Sequence, residues 1–236
     1  NHNGIEIDLA QGEILVNEGT LRNYAWNYTI QYNRLKKFYK DNGRSGSGRA
    51  ENPDMNSGGV PGFDTGETPV ASYDKAVKDS YASYNDAALI VISRIGGEGA
   101  DLPRTSLTQD GKKIPGARNE DDHYLQLDQN ETDLIKEVCS NGFKHVIVVI
   151  NSASVLECGF LDDPTHYAYN EKIDGAFFMS GTGKQGVMAL GQILNGDANP
   201  SGRTCDTYDR DHKKSPTWNN FGNNRVENGD KYTQGG

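Results

Sequence analysis

Cysteine is scarce in this chain: only Cys139, Cys158 and Cys205 occur. Their odd number, wide separation and lack of any C-x-x-C pair argue against a disulfide framework or a zinc site. They are expected to be small buried thiols within core elements, and no metal or cofactor is expected. Positive charge is also short, with 24 Lys and Arg against 33 Asp and Glu, a formal net charge of −9. That deficit argues against a nucleic-acid partner, whose phosphates need clustered cations. No apolar run approaches the roughly 20 residues of a membrane-crossing helix, so no membrane partner is expected either. A soluble protein, cytoplasmic or secreted, is expected, and composition does not choose between the two compartments. No signal peptide is visible. The tripeptides Asn27-Tyr28-Thr29 and Asn130-Glu131-Thr132 are glycosylation sequons, relevant only in a eukaryotic secretory route. Ser152 and Ser154 lack a nucleophile-elbow sequence, which leaves a serine hydrolase unsupported.

What is abundant is glycine, 28 residues in a chain of 236, with hydrophobic residues at 34%. Such a chain is loop-rich, yet long enough for a substantial core. Residues 1–65 read as a poorly defined N-terminal segment. Within it "IEIDL" and "EILV" suggest short strands and "NRLKKFYK" a helical turn. Residues 41–69 form a Gly/Ser-rich loop or linker. The chain starts at Asn1 without methionine and stops in "DKYTQGG", so a piece of a larger protein is expected, with one domain over residues 66–236.

Order resumes after Pro69. Ser72 is placed to cap a helix reaching about Tyr84, with Ala76, Val77 and Tyr81 on one side. "AALIVI" does not alternate and therefore predicts a strand buried on both faces. Asp128 is expected to cap a second helix, with Glu131 as its capping-box partner. Leu134, Ile135 and Val138 would form its buried stripe and Gly142 its close. "HVIVVIN" and "GAFFMS" predict a second and a third buried strand, and 184–194 a helix with Val187, Leu190, Ile193 and Leu194 on one side. "TCDTYD" predicts a last short strand. The succession implies an α/β fold: a mainly parallel sheet sandwiched between helices, flavodoxin-like in its layering. Ligands of such sheets meet loops at the carboxyl ends of the strands. Glu98, Asn151 and "GTGKQG" all lie on such loops.

Three short motifs have chemical readings. "GTGKQG" matches G-x-G-x-x-G through Gly181, Gly183 and Gly186, and Asp206 falls about 20 residues on, where a ribose-binding acid would stand. A dinucleotide-binding domain is therefore one alternative; the other reading is a tight strand-to-helix turn. "DDHY", residues 121–124, pairs an acid with His123, but adjacent residues seldom orient each other as a proton-shuttling dyad, so a solvated loop is expected. In "RIGGEGAD" a single carboxylate, Glu98, stands between Gly97 and Gly99. Glycine on both sides permits turns closed to other residues and keeps bulk away from the side chain. A general acid that must approach a substrate oxygen benefits from that reach; a solvated turn is the other reading.

Several separated stretches then fall into the order of one family. "ALIVISRIGGEGADL", "LQLDQNETDLIKEV", "VIVVINSASVLE", "DGAFFMSGTGKQG" and "LNGDANPSGR" together resemble the second, α/β sandwich domain of glycoside hydrolase family three, the family of many β-glucosidases and related exo-glycosidases. The resemblance covers roughly residues 66–209, and "GEGAD" and "NPSGR" carry it most strongly. It implies a retaining exo-enzyme of two domains, in which a (β/α)8 barrel supplies an aspartate nucleophile and the sandwich lends a glutamate acid/base. That glutamate matches Glu98, with Gly97, Gly99 and Asp101 supporting its loop. The carbohydrate substrate would be shared with a barrel that this chain lacks, and the chain alone would be inactive. Three positions depart from the family pattern: Leu102 and Pro103 precede Arg104 where Arg often comes at once, Ser180 replaces a usual Trp, and Gln185 a common Glu. A non-catalytic accessory domain remains a further alternative.

Overall fold

The computed structural model describes residues 65–94, 102–107, 110–167, 169–179 and 188–216, together with 14–16, 182, 186 and 218. Four strands form one sheet in the order β1 (Ile14–Val16), β2 (Ala87–Arg94), β3 (His145–Ser152) and β4 (Gly175–Phe178). Every neighbouring pair is parallel. β2 and β3 pair along their whole length, from Ala87 opposite His145 to Arg94 opposite Ser152. Among the described residues four helices accompany them: α1 (Lys75–Ser80), α2 (Gln129–Ser140), α3 (Gly159–Asp162) and α4 (Met188–Leu194).

The strands are rich in Val and Ile, whose branched side chains suit a pleated and covered surface. Ala88, Ile90 and Ile92 of β2 and Val146, Val148 and Ile150 of β3 point to one face. There they meet Val77 of α1, Tyr81 just beyond it, and Leu134, Ile135 and Val138 of α2. On the other face Leu89, Val91 and Val149 are buried as well. The unbroken apolar run of β2 is thus explained by cover on both sides. The fold is the α/β sandwich expected from the sequence. "EILV" supplies β1, whereas "IEIDL", "NRLKKFYK" and the Asn27 sequon lie outside the described residues.

α2 begins as its sequence predicts. The Asp128 carboxylate accepts the Glu131 N–H at 2.7 Å, and the Glu131 carboxylate accepts the Asp128 N–H at 3.0 Å. Gly142, at φ 74°, follows the helix in a backbone conformation that favours glycine. Gly116 packs against the same helix start: its φ is 85°, and a Cβ there would lie 2.8 Å from side-chain atoms of both Asp128 and Asn130. Asn130 is buried and donates to the Glu67 carbonyl at 3.0 Å. Its sequon therefore offers no accessible amide in the folded domain.

Several local expectations are corrected. β4, expected as a buried strand, is exposed along most of its length, and Phe178 is 43% exposed. Ser72 does not cap α1: it sits in a 3-10 turn, Val70–Ser72, and its hydroxyl donates to the Pro69 carbonyl. Asp74 takes the role instead, accepting the Val77 N–H at 2.8 Å, and α1 closes at Ser80. An ionised carboxylate is at least as good a cap as a hydroxyl, and the chain offers both within one turn. The helix expected over 184–194 is present as α4, with Gly186 also helical and Leu190 buried; Lys184 and Val187 lie outside the described residues. "TCDTYD" pairs with no strand, and Thr204, Cys205 and Asp206 are exposed. Cys205 is thus no core thiol, whereas Cys139 is half-buried and Cys158 buried. Burial, reinforced by the nearby Glu157 and Asp162, pushes the Cys158 thiol up to about 12, so it stays protonated and unreactive at neutral pH.

Burial, together with the negative charge of Glu131, raises the Asp128 carboxyl to about 7. Bonds from the Glu131 N–H and the Thr65 hydroxyl, and the charge of Arg94, oppose that rise. In the unfolded chain the group titrates near 3.9, so between about pH 4 and 7 the folded state holds the extra proton. Its stabilising contribution is complete below about pH 4 and is lost as the pH rises through about 7. Asp128→Asn keeps a capping acceptor without the charge, and is expected to flatten the decline in melting temperature across that window when variant and parent are compared by thermal melts. In the core, Ile135 is 0% exposed. Ile135→Ala is expected to cost about 2–5 kcal/mol in denaturant unfolding, while Lys136→Ala on the exposed side of α2 leaves stability unchanged within about 0.5 kcal/mol.

Candidate functional site

The carboxyl ends of β2 and β3 lie side by side, with Arg94 opposite Ser152. Arg94 ends the apolar run of β2, and its side chain is only 1% exposed. A cation there requires partners for the five N–H groups of its guanidinium. Nη1 and Nη2 fork onto the Glu131 carboxylate at 2.7 and 2.8 Å. The remaining bonds go to backbone carbonyls: Nε to Tyr124 at 2.5 Å, Nη2 to Gln126 at 2.7 Å and Nη1 to Ser93 at 2.7 Å. The guanidinium also lies 5.3 Å from the centre of the Tyr124 ring. Burial by itself would ease deprotonation, but Glu131 more than reverses this and the pKa is raised. The group is a permanent cation.

A second cluster gathers beside the first. His123 is buried, with Nε2 3.0 Å from Glu157 Oε2, and the same oxygen accepts the His212 N–H at 3.0 Å. The two imidazoles lie 5.4 Å apart, and the Trp218 ring lies 4.8 Å from His123. Arg104 stacks on the other partner of this aromatic group, 4.9 Å from the centre of Trp218. His212 Nε2 lies 3.0 Å from the Val155 carbonyl. The expectation of a solvated "DDHY" loop is therefore corrected. Asp122 and His123 are both buried, and His123 is oriented by Glu157 from a distant segment rather than by its neighbouring acid. A cavity of about 20 Å³, bounded in part by Ser106, Asp122, His123 and Asp128, lies close by.

These two clusters were not singled out in the sequence. The first had a legible sign, since an arginine at the end of a wholly apolar strand must find a counter-ion. The second had none: His123, Glu157, His212 and Trp218 come from separate segments that only the fold brings together. Ser152 is engaged with its own turn, its hydroxyl donating to the Ser154 carbonyl at 2.6 Å. Among the described residues no group of three or more His, Cys, Asp or Glu side chains is placed to hold a metal ion.

The expected acid/base Glu98, its neighbours Gly97 and Gly99, and Asp101 lie outside the described residues, as do Gly181, Gly183, Ser180 and Gln185. Arg94, at the end of β2, precedes Glu98 by four positions in the chain. Gly186 is described: its N–H donates to the Thr182 carbonyl at 3.1 Å, and a Cβ on it would meet Thr182 at 3.2 Å. Asp206, the acid required by the dinucleotide alternative, is exposed and accepts from the thiol of Cys205 at 3.4 Å.

Comparison with known proteins agrees with this architecture. The model of the glycosyl hydrolase family 3 C-terminal domain matches residues 11–236. β-Glucosidase A of Butyrivibrio fibrisolvens is 33% identical over 138 residues, which take in 54% of this chain and 15% of that protein. The crystal structure of a β-glucosidase from Paenibacillus barengoltzii superposes with a TM-score of 0.55 at 22% identity, covering 81% of this chain and 17% of that one. The chain thus spans only about a sixth of the length of these relatives. With the family model matched over nearly its whole length, and a parallel α/β sandwich beneath it, this chain belongs to the C-terminal domain family of the family 3 glycosyl hydrolases.

Proposed function

We propose that this chain is the α/β sandwich domain of a retaining, exo-acting β-glycosidase and that Glu98 is its general acid/base. The match to the family domain over residues 11–236 carries the reading. The position of Glu98 in the segment that follows β2, at the carboxyl end of a parallel sheet, supports it. A (β/α)8 barrel in the same enzyme would provide the aspartate nucleophile and most of the sugar pocket. Retaining hydrolysis sets the two carboxyl groups about 5–5.5 Å apart, so the segment bearing Glu98 would reach across a domain boundary.

In the first step Glu98, protonated, gives its proton to the glycosidic oxygen as the bond to the anomeric carbon breaks and the nucleophile closes on that carbon. In the second step the resulting carboxylate takes a proton from water, which attacks the glycosyl-enzyme and releases the sugar with retained configuration. Both steps need a carboxyl whose pKa lies nearer neutrality than that of a solvated glutamate. Burial beneath a bound sugar supplies that rise. A lone acid without nucleophile or sugar pocket forfeits most of the stabilisation of the transition state.

In the intact enzyme, Glu98→Gln is expected to lower hydrolysis of an unactivated disaccharide by about 10²–10⁴-fold, the usual contribution of general acid–base catalysis. An activated aryl β-glucoside, whose leaving group needs no proton, should lose far less in its first step. Steady-state rates on both substrates check this; equal, parent-like rates would make Glu98 a loop residue. The purified chain by itself is expected to leave an aryl β-glucoside intact. Glucoside turnover by that chain which disappears in Glu98→Gln would show that no barrel is needed.

A further inference from the structure

The segment that carries Glu98 leaves the described structure after Arg94 and returns to it before Pro103. Both ends are tied to one short stretch, residues 120–126. On the outgoing side, Arg94 donates to the carbonyls of Tyr124 and Gln126. On the returning side, the Tyr124 N–H donates to the Pro103 carbonyl at 3.1 Å. Three residues further on, Ser106 donates its N–H to the Glu120 carbonyl at 2.8 Å and its hydroxyl to the Asp122 carbonyl at 2.9 Å. Tyr124 therefore holds one end through its carbonyl and the other through its amide. The stretch is itself fixed, because Arg94 forks onto Glu131 at the start of α2 and Glu131 accepts the N–H of Asp128.

We infer that Arg94, clamped by Glu131 onto the backbone of Tyr124 and Gln126, is a positioning residue for catalysis, setting the two ends of the segment that bears the acid/base. The inference rests on the reading of Glu98 given above and adds a second residue to it. Bulk stability gives a poor reason for this arginine, since a buried ion pair can often be replaced by apolar side chains of similar volume without loss. Direction gives a better one. Only a guanidinium can grip a carboxylate with two parallel bonds and still reach two backbone carbonyls in its own plane; a lysine ammonium lacks that fork. A carboxyl that acts on a substrate held by another domain needs such a fixed base, because a displacement of about 1 Å costs on the order of 10²-fold in rate.

The test uses the intact enzyme carrying Arg94→Met together with Glu131→Gln, beside Glu98→Gln alone. The double variant leaves no unpaired buried charge, and glutamine can still complete the capping box. The expected result is a folded protein with an unchanged KM, a kcat on the disaccharide lowered by about 10²-fold, and a much smaller loss on the aryl glucoside. The alkaline limb of its pH–rate profile should also move, because the acid sits in altered surroundings. Parent-like disaccharide rates would overturn the inference, and so would equal losses on both substrates, which a purely structural role produces. Should the double variant not fold, the same ratio of losses in Arg94→Lys decides the matter, and failure of both to fold makes Arg94 a stability residue only. If Glu98→Gln is selectively impaired and the Arg94 variants are not, the clamp alone is wrong. If Glu98→Gln is not impaired, the acid/base reading falls and the clamp falls with it.

Discussion

A cation at the end of an otherwise apolar strand is the constraint around which this domain is organised. Arg94 cannot be hydrated where β2 ends, so each of its N–H groups must be met by the protein. Glu131 meets two of them, and this places the first turn of α2 against the carboxyl end of the sheet. The carbonyls of Tyr124 and Gln126 meet two more, which fixes the irregular stretch before α2. Because Glu131 also belongs to the capping box, one carboxylate joins helix initiation to strand termination. The electrostatic consequence reaches Asp128, held between the negative charge of Glu131 and the positive charge of Arg94.

The neighbouring cluster uses a different principle for a similar end. Glu157 accepts from the ring of His123 and from the backbone of His212, so one carboxylate links the stretch before α2 to the segment near Trp218. The rings of Trp218 and His212 lie tilted against His123, their centres 4.8 and 5.4 Å from its own. Arg104, over the Trp218 ring, carries the linkage to the stretch that follows Pro103. The carboxyl end of this sheet is thus a polar assembly from several segments, built over a core of aliphatic and aromatic side chains.

Much of the fold was legible because its signals are local. The unbroken runs of β2 and β3, the Asp128–Glu131 box and Gly142 each depend on residues within one element, and each formed as read. The misreadings share a cause. Ser72 lost the cap of α1 to Asp74 because two good capping residues stand two positions apart and sequence cannot rank them in context. "TCDTYD" has the composition of a strand, but a strand also requires a partner edge, and among the described residues none pairs with it. His123 was read as solvated because its neighbours are charged, while its true partners stand 34 and 89 positions away.

The amino-acid sequence by itself determined the α/β class, the parallel sheet and the kinship carried by "GEGAD" and "NPSGR", since hydrophobic period, capping chemistry and motif order are properties of neighbouring residues. It also marked Glu98 as the carboxyl worth asking about. Only the tertiary structure decided that Arg94, Glu131, Tyr124 and Pro103 form one bonded unit and that His123 meets Glu157. The physical reason is that buried charges and orphaned backbone groups must be satisfied wherever a partner can be found. Those partners are chosen by proximity in space, which the order of residues along the chain does not record.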